Sequence, residues 1–291
     1  GFMSSTIPEY FVRQWDTAIR MECAQRDSRL LACVTDRGSI TGESFTINFM
    51  GDDGSQLAAN TNRLGDTEWS EAAHHSRVVN MSDFFEALPL DRADVPKMLV
   101  NPITGGDYAR LLMQKRNRRI DKIIYDAARG SQLRKDGTST ALPIEQKIAH
   151  GSTGFTKAKV LTARKIFRRN EADEMNGEEL YLSYNAEMLE DILSDTTLTS
   201  SDYMAVKMLQ SGDISGQWLG FKWVPYNGIT LAASVYYTVA WAKSGIHFGR
   251  GFEEGDAGPR RDKKNAQQVS LAASYGAGRQ DEKKVVEIAF Q

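Results

Sequence analysis

His74 and His75 stand side by side with Glu68 and Glu71 just upstream. A bound metal needs about three or four converging ligands. Successive side chains of an extended segment point to opposite faces, so these two imidazoles diverge, and a loop near an interface is the expected setting. The run KRNRR (115–119) carries enough charge to neutralise several phosphates. No aromatic residues interleave with it, as a groove that stacks single-stranded bases requires. Asp107, Asp121 and Asp126 share its segment. The pattern therefore predicts a salt-bridged helix face, solvated or between subunits, with loose nucleic-acid contact as the alternative. Cys23 and Cys33 lie ten apart with no C-x-x-C spacing, and read as small apolar residues in a reducing compartment. Phosphate-loop, dinucleotide, nucleophile-elbow and H-E-x-x-H patterns are all absent. No catalytic, cofactor-binding or metal-ligating residue is assigned, and an enzyme is the weaker expectation.

The elements around these residues are easier to read. Phe11, Trp15, Ile19 and Cys23 recur every four residues, one stripe of an amphipathic helix whose first turn suits Pro8. Such a stripe needs a cover, from this chain or a neighbour. In ESFTINF (43–49), Phe45, Ile47 and Phe49 alternate with polar residues, as in a half-buried strand. A polar excursion containing Trp69 follows, and a return strand is expected over 76–85, with Val79 and Met81 on one face. A free hairpin is marginally stable, so one this long calls for support from another subunit. The spacing next predicts a helix over 104–129, capped by Thr104 and stopped by Gly130, roughly 35–40 Å long. Further expectations are helices over 156–174, 186–193 and 202–210, and a strand over 180–183. GDISGQWLGFKWVPYNG (212–228) reads as strand, tight turn and strand, with Trp218 either a contact anchor or a core residue. Strands are expected over 235–248. A polar, glycine-rich break and two short apolar runs, VSLAASYGAG and KKVVEIAF, close the chain.

Length and composition set the class. The 291 residues allow one large domain or two modest ones, and 41% hydrophobic with 25% charged residues argues against wholesale disorder. A net charge of −2 argues against a dedicated nucleic-acid binder. No run of 18 apolar residues occurs, so no membrane span is expected. Glu9, Arg13, Asp16 and Arg20 stand where a secretory signal would be apolar. Met3 reads as the natural start, after an expression scar of Gly1 and Phe2.

The order of parts resembles the major capsid proteins of tailed double-stranded DNA phages, with the Hong Kong 97-like fold. RRIDKIIYDAARG resembles the end of that family's spine helix, and GEELYLSYNAEMLEDILSD the strand-then-helix of its axial domain. SGDISGQWLGFKWVPYNGI, AWAKSGIHFG and YGAGRQDEKKVVEIAF resemble later segments. Each piece is degenerate alone; their order over nearly the whole chain carries the likeness. The resemblance implies an α+β fold: an amino-terminal arm (1–37), a projecting β-hairpin loop (38–87) and a peripheral domain (88–140) with its spine helix at 104–129. An axial domain (141–260) and strands returning to the peripheral domain (261–291) complete it. It implies a structural protein that self-assembles through pentamers and hexamers into an icosahedral shell around double-stranded DNA. Assembly in a bacterial host cytoplasm into the virion capsid is expected. Encapsulin-type compartments share the fold and are the alternative. Candidate intersubunit contacts are Phe11, Trp15 and Ile19 on the arm, Phe45, Ile47, Phe49 and Trp69 on the hairpin, Arg116 and Arg119 on the spine helix, and Trp218. Some members crosslink a hairpin lysine to a neighbour's asparagine. No lysine precedes Lys97 here, so non-covalent stabilisation is expected. No long helical pre-segment precedes the arm, so a separate scaffolding protein is an expected partner, with a portal protein, packaged DNA in loose contact and a decoration protein. No cofactor and no membrane partner is expected.

Overall fold

The computed structural model describes residues 23–67, 69–98, 101–195, 211–214 and 216–291. The arm stripe Phe11, Trp15 and Ile19 and the helix expected over 202–210 lie outside these residues. The described chain opens with β1 (Thr35–Ser39), β2 (Ser44–Gly51), β3 (Ala73–Asn80) and β4 (Ser82–Leu90), then α1 (Asp107–Arg129). Next come β5 (Gln132–Arg134), β6 (Ser139–Thr140), β7 (Lys147–Ile148), α2 (Lys157–Arg169), β8 (Leu180–Tyr184) and α3 (Ala186–Ser194). The remainder is strand: β9 (Gln217–Trp218), β10 (Phe221–Pro225), β11 (Thr230–Ala232), β12 (Val235–Ala242), β13 (Ile246–Arg260), β14 (Ala266–Arg279) and β15 (Val285–Phe290).

Three sheets organise these strands. The first runs β1-β13-β14-β4, with α1 laid against β14. The second has the order β7-β15-β12-β8-β10-β9, with β11 on β12. The third, β2-β3-β5-β6, is the projecting hairpin and its base. In the second sheet β8 is parallel to β10 and every residue of β8 is buried, as expected of a strand covered on both faces. One hydrophobic core joins the first two sheets and all three helices, from Leu30 and Tyr125 through Phe167 and Trp241 to Phe290. A small satellite of Phe45, Ile47 and Val79, with Ile40 and Met81 against it, sits under the hairpin.

Local chemistry explains most boundaries. Asn185 caps α3 by accepting a hydrogen bond from the Met188 N–H at 3.0 Å. Gly177, at φ 77°, supplies a left-handed turn after Asn176. Four boundaries differ from expectation. α1 begins at Asp107, because Gly106 turns left-handed at φ 78° and the Thr104 hydroxyl donates to the Asn101 carbonyl instead of capping. α2 stops at Arg169, and Glu171 follows at φ 55°, a conformation no helix can continue through. The expected single return strand over 76–85 is broken at Met81: β3 stays with the hairpin, while β4 joins the first sheet. The polar break after Gly249 is in fact strand, since β13 pairs with β14 out to Arg260↔Ala266. The expected division at 260/261 therefore falls at the end of one hairpin, and β15 belongs to the second sheet, not to the sheet under α1.

Candidate assembly surfaces

Asp121 organises the entry of the chain. It sits on the apolar side of α1, between Ile120 and Ile124, and is fully buried. Its carboxylate accepts hydrogen bonds from Ser28 Oγ (2.6 Å), Arg29 N (3.0 and 3.2 Å), Leu30 N (3.1 Å) and Gln25 Nε2. One turn earlier, Asn117 Nδ2 donates to the Arg26 carbonyl at 2.9 Å. A buried carboxylate is stable only when its lone pairs are filled, and here the incoming backbone fills them. Sequence reading placed Asp121 among surface ion-pairing residues; the signal it missed was an aspartate inside the helix's apolar stripe. The docked segment carries Cys33, whose carbonyl accepts from Trp241 Nε1 at 2.9 Å and whose thiol is pushed up to about 11 by burial.

The basic run of α1 is largely neutralised inside its own chain. Lys115 pairs with Glu86 of β4 and Arg116 with Glu253 of β13, while Lys122 pairs with Asp126 along the helix at 2.8 Å. Arg119 lies over the Phe84 ring, 4.9 Å from its centroid. Arg116 and Arg119, expected as contacts between subunits, thus first hold α1 to the sheet. Between helix and sheet runs a groove of about 530 Å³ with Phe84, Phe85, Leu112 and Leu271 along it.

The hairpin divides its aromatic residues. Phe45 and Ile47 are buried in the satellite core, which corrects their expected role on a neighbour: that face of β2 is covered by Val79, Ile40 and Met81. Phe49 is half-buried, its ring 5.1 Å from that of His75 and under the Arg77 guanidinium at 5.4 Å. Beyond Gly51 the described loop residues are exposed, and Trp69 is 91% exposed. The base of the hairpin is tied down ionically. Arg77 donates two hydrogen bonds to Glu282, at 2.9 and 3.1 Å. Arg279, fully buried, lies 3.8 Å from the same carboxylate and donates to the carbonyls of Ala128, Gly130 and Thr140. One glutamate thereby joins the hairpin, β14 and the end of α1.

Trp218 is 7% exposed, and its carbonyl accepts from Trp223 Nε1 at 3.1 Å, so the contact-anchor reading gives way to the core one. Lys159, also buried, donates to the carbonyls of His150, Thr153 and Gly154. His247 accepts from Arg37 Nε at 2.9 Å through Nδ1, and burial lowers its pKa. These buried polar groups fasten loops and strands to one another. Among the described residues no three His, Cys, Asp or Glu side chains group as a metal site, and no helix is long and apolar enough to cross a membrane.

A family model described as phage capsid protein matches residues 7–291. No curated protein matches the chain. Among solved structures, the capsid of Ralstonia phage GP4 is similar at 9% identity, with 100% of this chain and 97% of that one covered and a TM-score of 0.71. The capsid of a native GTA particle is similar at 11% identity, with 98% and 97% covered and a TM-score of 0.71. A chain of Mycobacterium phage Che8 aligns at 13% identity over 96% and 97%, with a TM-score of 0.67. At these identities the likeness is one of fold.

Proposed function

Since the chain belongs to the phage capsid protein family, we propose that its copies close through rings of five and six into an icosahedral shell around double-stranded DNA, held without covalent links. Its role is that of a structural major capsid protein, in the virion capsid and in contact with copies of itself. The observation that carries the proposal is the family match over residues 7–291, joined to a hairpin whose tip leaves Trp69 uncovered by its own chain. Each subunit in a shell touches several others. Once a few contacts exist the next is effectively intramolecular, so modest contacts sum to a durable container. The family match favours this reading over an encapsulin-type compartment. A scaffolding protein, a portal protein and a decoration protein are its proposed partners, with loose, non-specific contact to DNA and assembly in the host cytoplasm. The absence of lysine before Lys97 supports non-covalent stabilisation, because the hairpin has no side-chain amine to offer.

The test is negative-stain electron microscopy of the purified chain, expressed with and without the neighbouring scaffold gene, beside size-exclusion chromatography. Closed shells or free rings are expected, and boiled particles should run on a denaturing gel as a single monomer band. A stable monomer under both conditions would overturn the assembly reading. Robust shells from the chain alone would overturn the separate scaffold.

A further inference from the structure

We infer that Asn227 is a site of self-modification: its side-chain amide is lost to attack by the Gly228 backbone nitrogen, leaving aspartate or isoaspartate in the loop between β10 and β11. The glycine nitrogen bonds to the asparagine Cγ, the bond from Cγ to Nδ2 breaks, and ammonia departs with the proton that the glycine N–H gave up. The succinimide so formed takes up water at either of its carbonyls. One opening restores the ordinary backbone with an aspartate side chain; the other routes the chain through the side-chain carbon as isoaspartate. No oxidant, metal or cofactor enters the balance. Glycine favours the attack because no Cβ stands beside its nitrogen.

The chain holds this step at Asn176-Gly177 and Asn227-Gly228, and its aspartate counterpart at Asp53-Gly54 and Asp136-Gly137. The fold separates them. Gly54 N donates to Asp52 Oδ1 at 2.9 Å, and Gly137 N and Gly177 N donate to the carbonyls of Arg134 and Glu174, each at 3.0 Å. These glycines sit in closed left-handed turns, at φ 73°, 85° and 77°. Asn176 is held as well, since its Nδ2 donates to the Glu171 carbonyl. An N–H engaged in this way keeps its proton, and the turn fixes the peptide plane so that the nitrogen cannot face the side chain.

Asn227 has none of this protection. It and Gly228 are exposed. Among the described residues neither the Asn227 side chain nor the Gly228 N–H has a hydrogen-bond partner. Packing also demands the glycine, because a Cβ at 228 would stand 2.3 Å from the Tyr226 hydroxyl oxygen. The residue that fits is thus the one that leaves the nitrogen open.

Both flanks of the step are anchored to α1 or its surroundings. Tyr226 is buried, its N–H donates to the Tyr184 carbonyl at 2.7 Å, and its ring lies 5.5 Å from that of Tyr125 on α1. Ile229 is buried, and the Thr230 N–H donates to the Tyr125 hydroxyl at 3.0 Å. Isoaspartate inserts an extra backbone carbon between these anchors, and either product adds a negative charge. Modification therefore loosens the loop's hold on α1.

The test ages the purified full chain at mildly alkaline pH, in buffer and in concentrated urea, and follows both Asn-Gly peptides by mass mapping with isoaspartate detection. In buffer, conversion at Asn227 should outpace that at Asn176 by about tenfold or more, because two hydrogen bonds must open before Asn176 can react. In urea the two rates should converge to within about threefold, since the unfolded chain no longer distinguishes the sites. Equal rates in buffer, or a faster Asn176, would overturn the assignment. A preference for Asn227 that persists undiminished in urea would assign it to neighbouring residues and overturn the role of the fold. Asn227→Gln supplies the second arm: its extra methylene must close a larger and slower ring, and the exposed position leaves packing intact. The variant should stay unmodified and keep its unfolding temperature through the same ageing, while that of the parent falls as isoaspartate accumulates. Parallel losses in the two chains would overturn the link between the modification and the hold on α1.

Discussion

Replacing Asp121 by asparagine probes how the entry segment is held. The carboxylate accepts from two backbone N–H groups, a hydroxyl and an amide. Asparagine keeps one acceptor oxygen but turns the other position into a donor that faces the donors of the segment. Hydrogen bonds to charged groups are worth about 1.5–3 kcal/mol each, and two are lost, so docking of the segment should weaken by about 3–6 kcal/mol. At about 1.4 kcal/mol per tenfold, the undocked population should rise by roughly two to four orders of magnitude. Cys33 reports it. Docked, its thiol is 6% exposed and pushed up to about 11; undocked, it returns toward its ordinary value of 9.0 and becomes accessible. With Cys23→Ser in the background, Cys33 is the sole thiol, and its labelling rate at pH 8 follows the open population. The neutral thiol's contribution to docking is full below 9.0 and is lost as pH rises toward about 11, so the parent should itself label disproportionately faster in alkali. A labelling rate for Asp121→Asn within about threefold of the parent would refute the view that this carboxylate anchors the segment.

Three further outcomes are expected. Glu282→Gln leaves Arg77 and Arg279 buried without their shared counter-charge, and should cost about 3–5 kcal/mol in urea denaturation while speeding proteolytic cleavage within 52–72; unchanged cleavage would show that the hairpin base is held otherwise. Gly278→Ala places a Cβ 2.2 Å from Val79 Cγ2 and 2.9 Å from Gln132 Oε1, so it should destabilise by about 1–3 kcal/mol, and Val79→Ala should recover part of that loss in a double-mutant cycle. His247 is held neutral: Arg37 donates to Nδ1, and Nε2 donates to Gln280 Oε1. Its folded pKa is lowered by burial, so its contribution is present above the ordinary imidazole value of about 6.5 and is lost as pH falls through the lowered one. Protection of the β1 amides, taken relative to intrinsic exchange at each pH, should therefore fall in acid, and His247→Gln should abolish that acid dependence.

Local periodicity determined a good part of this molecule. The alternation of Phe45 and Ile47 identified β2, helical spacing identified α1 to within three residues of its start, and the helix expected over 186–193 is α3. The ordered likeness of segments along the chain pointed to the family that the match over 7–291 establishes. These signals are legible because backbone geometry within an element depends on neighbours a few residues away. What depends on partners far along the chain was decided only by the tertiary structure. Asp121 became a buried anchor because residues 25–30 arrive beside it, and Arg116 an internal tie because Glu253 lies across from it, 137 residues later. Phe45 and Ile47 turned inward because Val79 closes over them, and the polar stretch after Gly249 became strand because β14 pairs along its whole length. Side-chain period tells which residues share a face; only the packed fold decides what that face meets, since burial and pairing are settled by elements that sequence distance does not bring together.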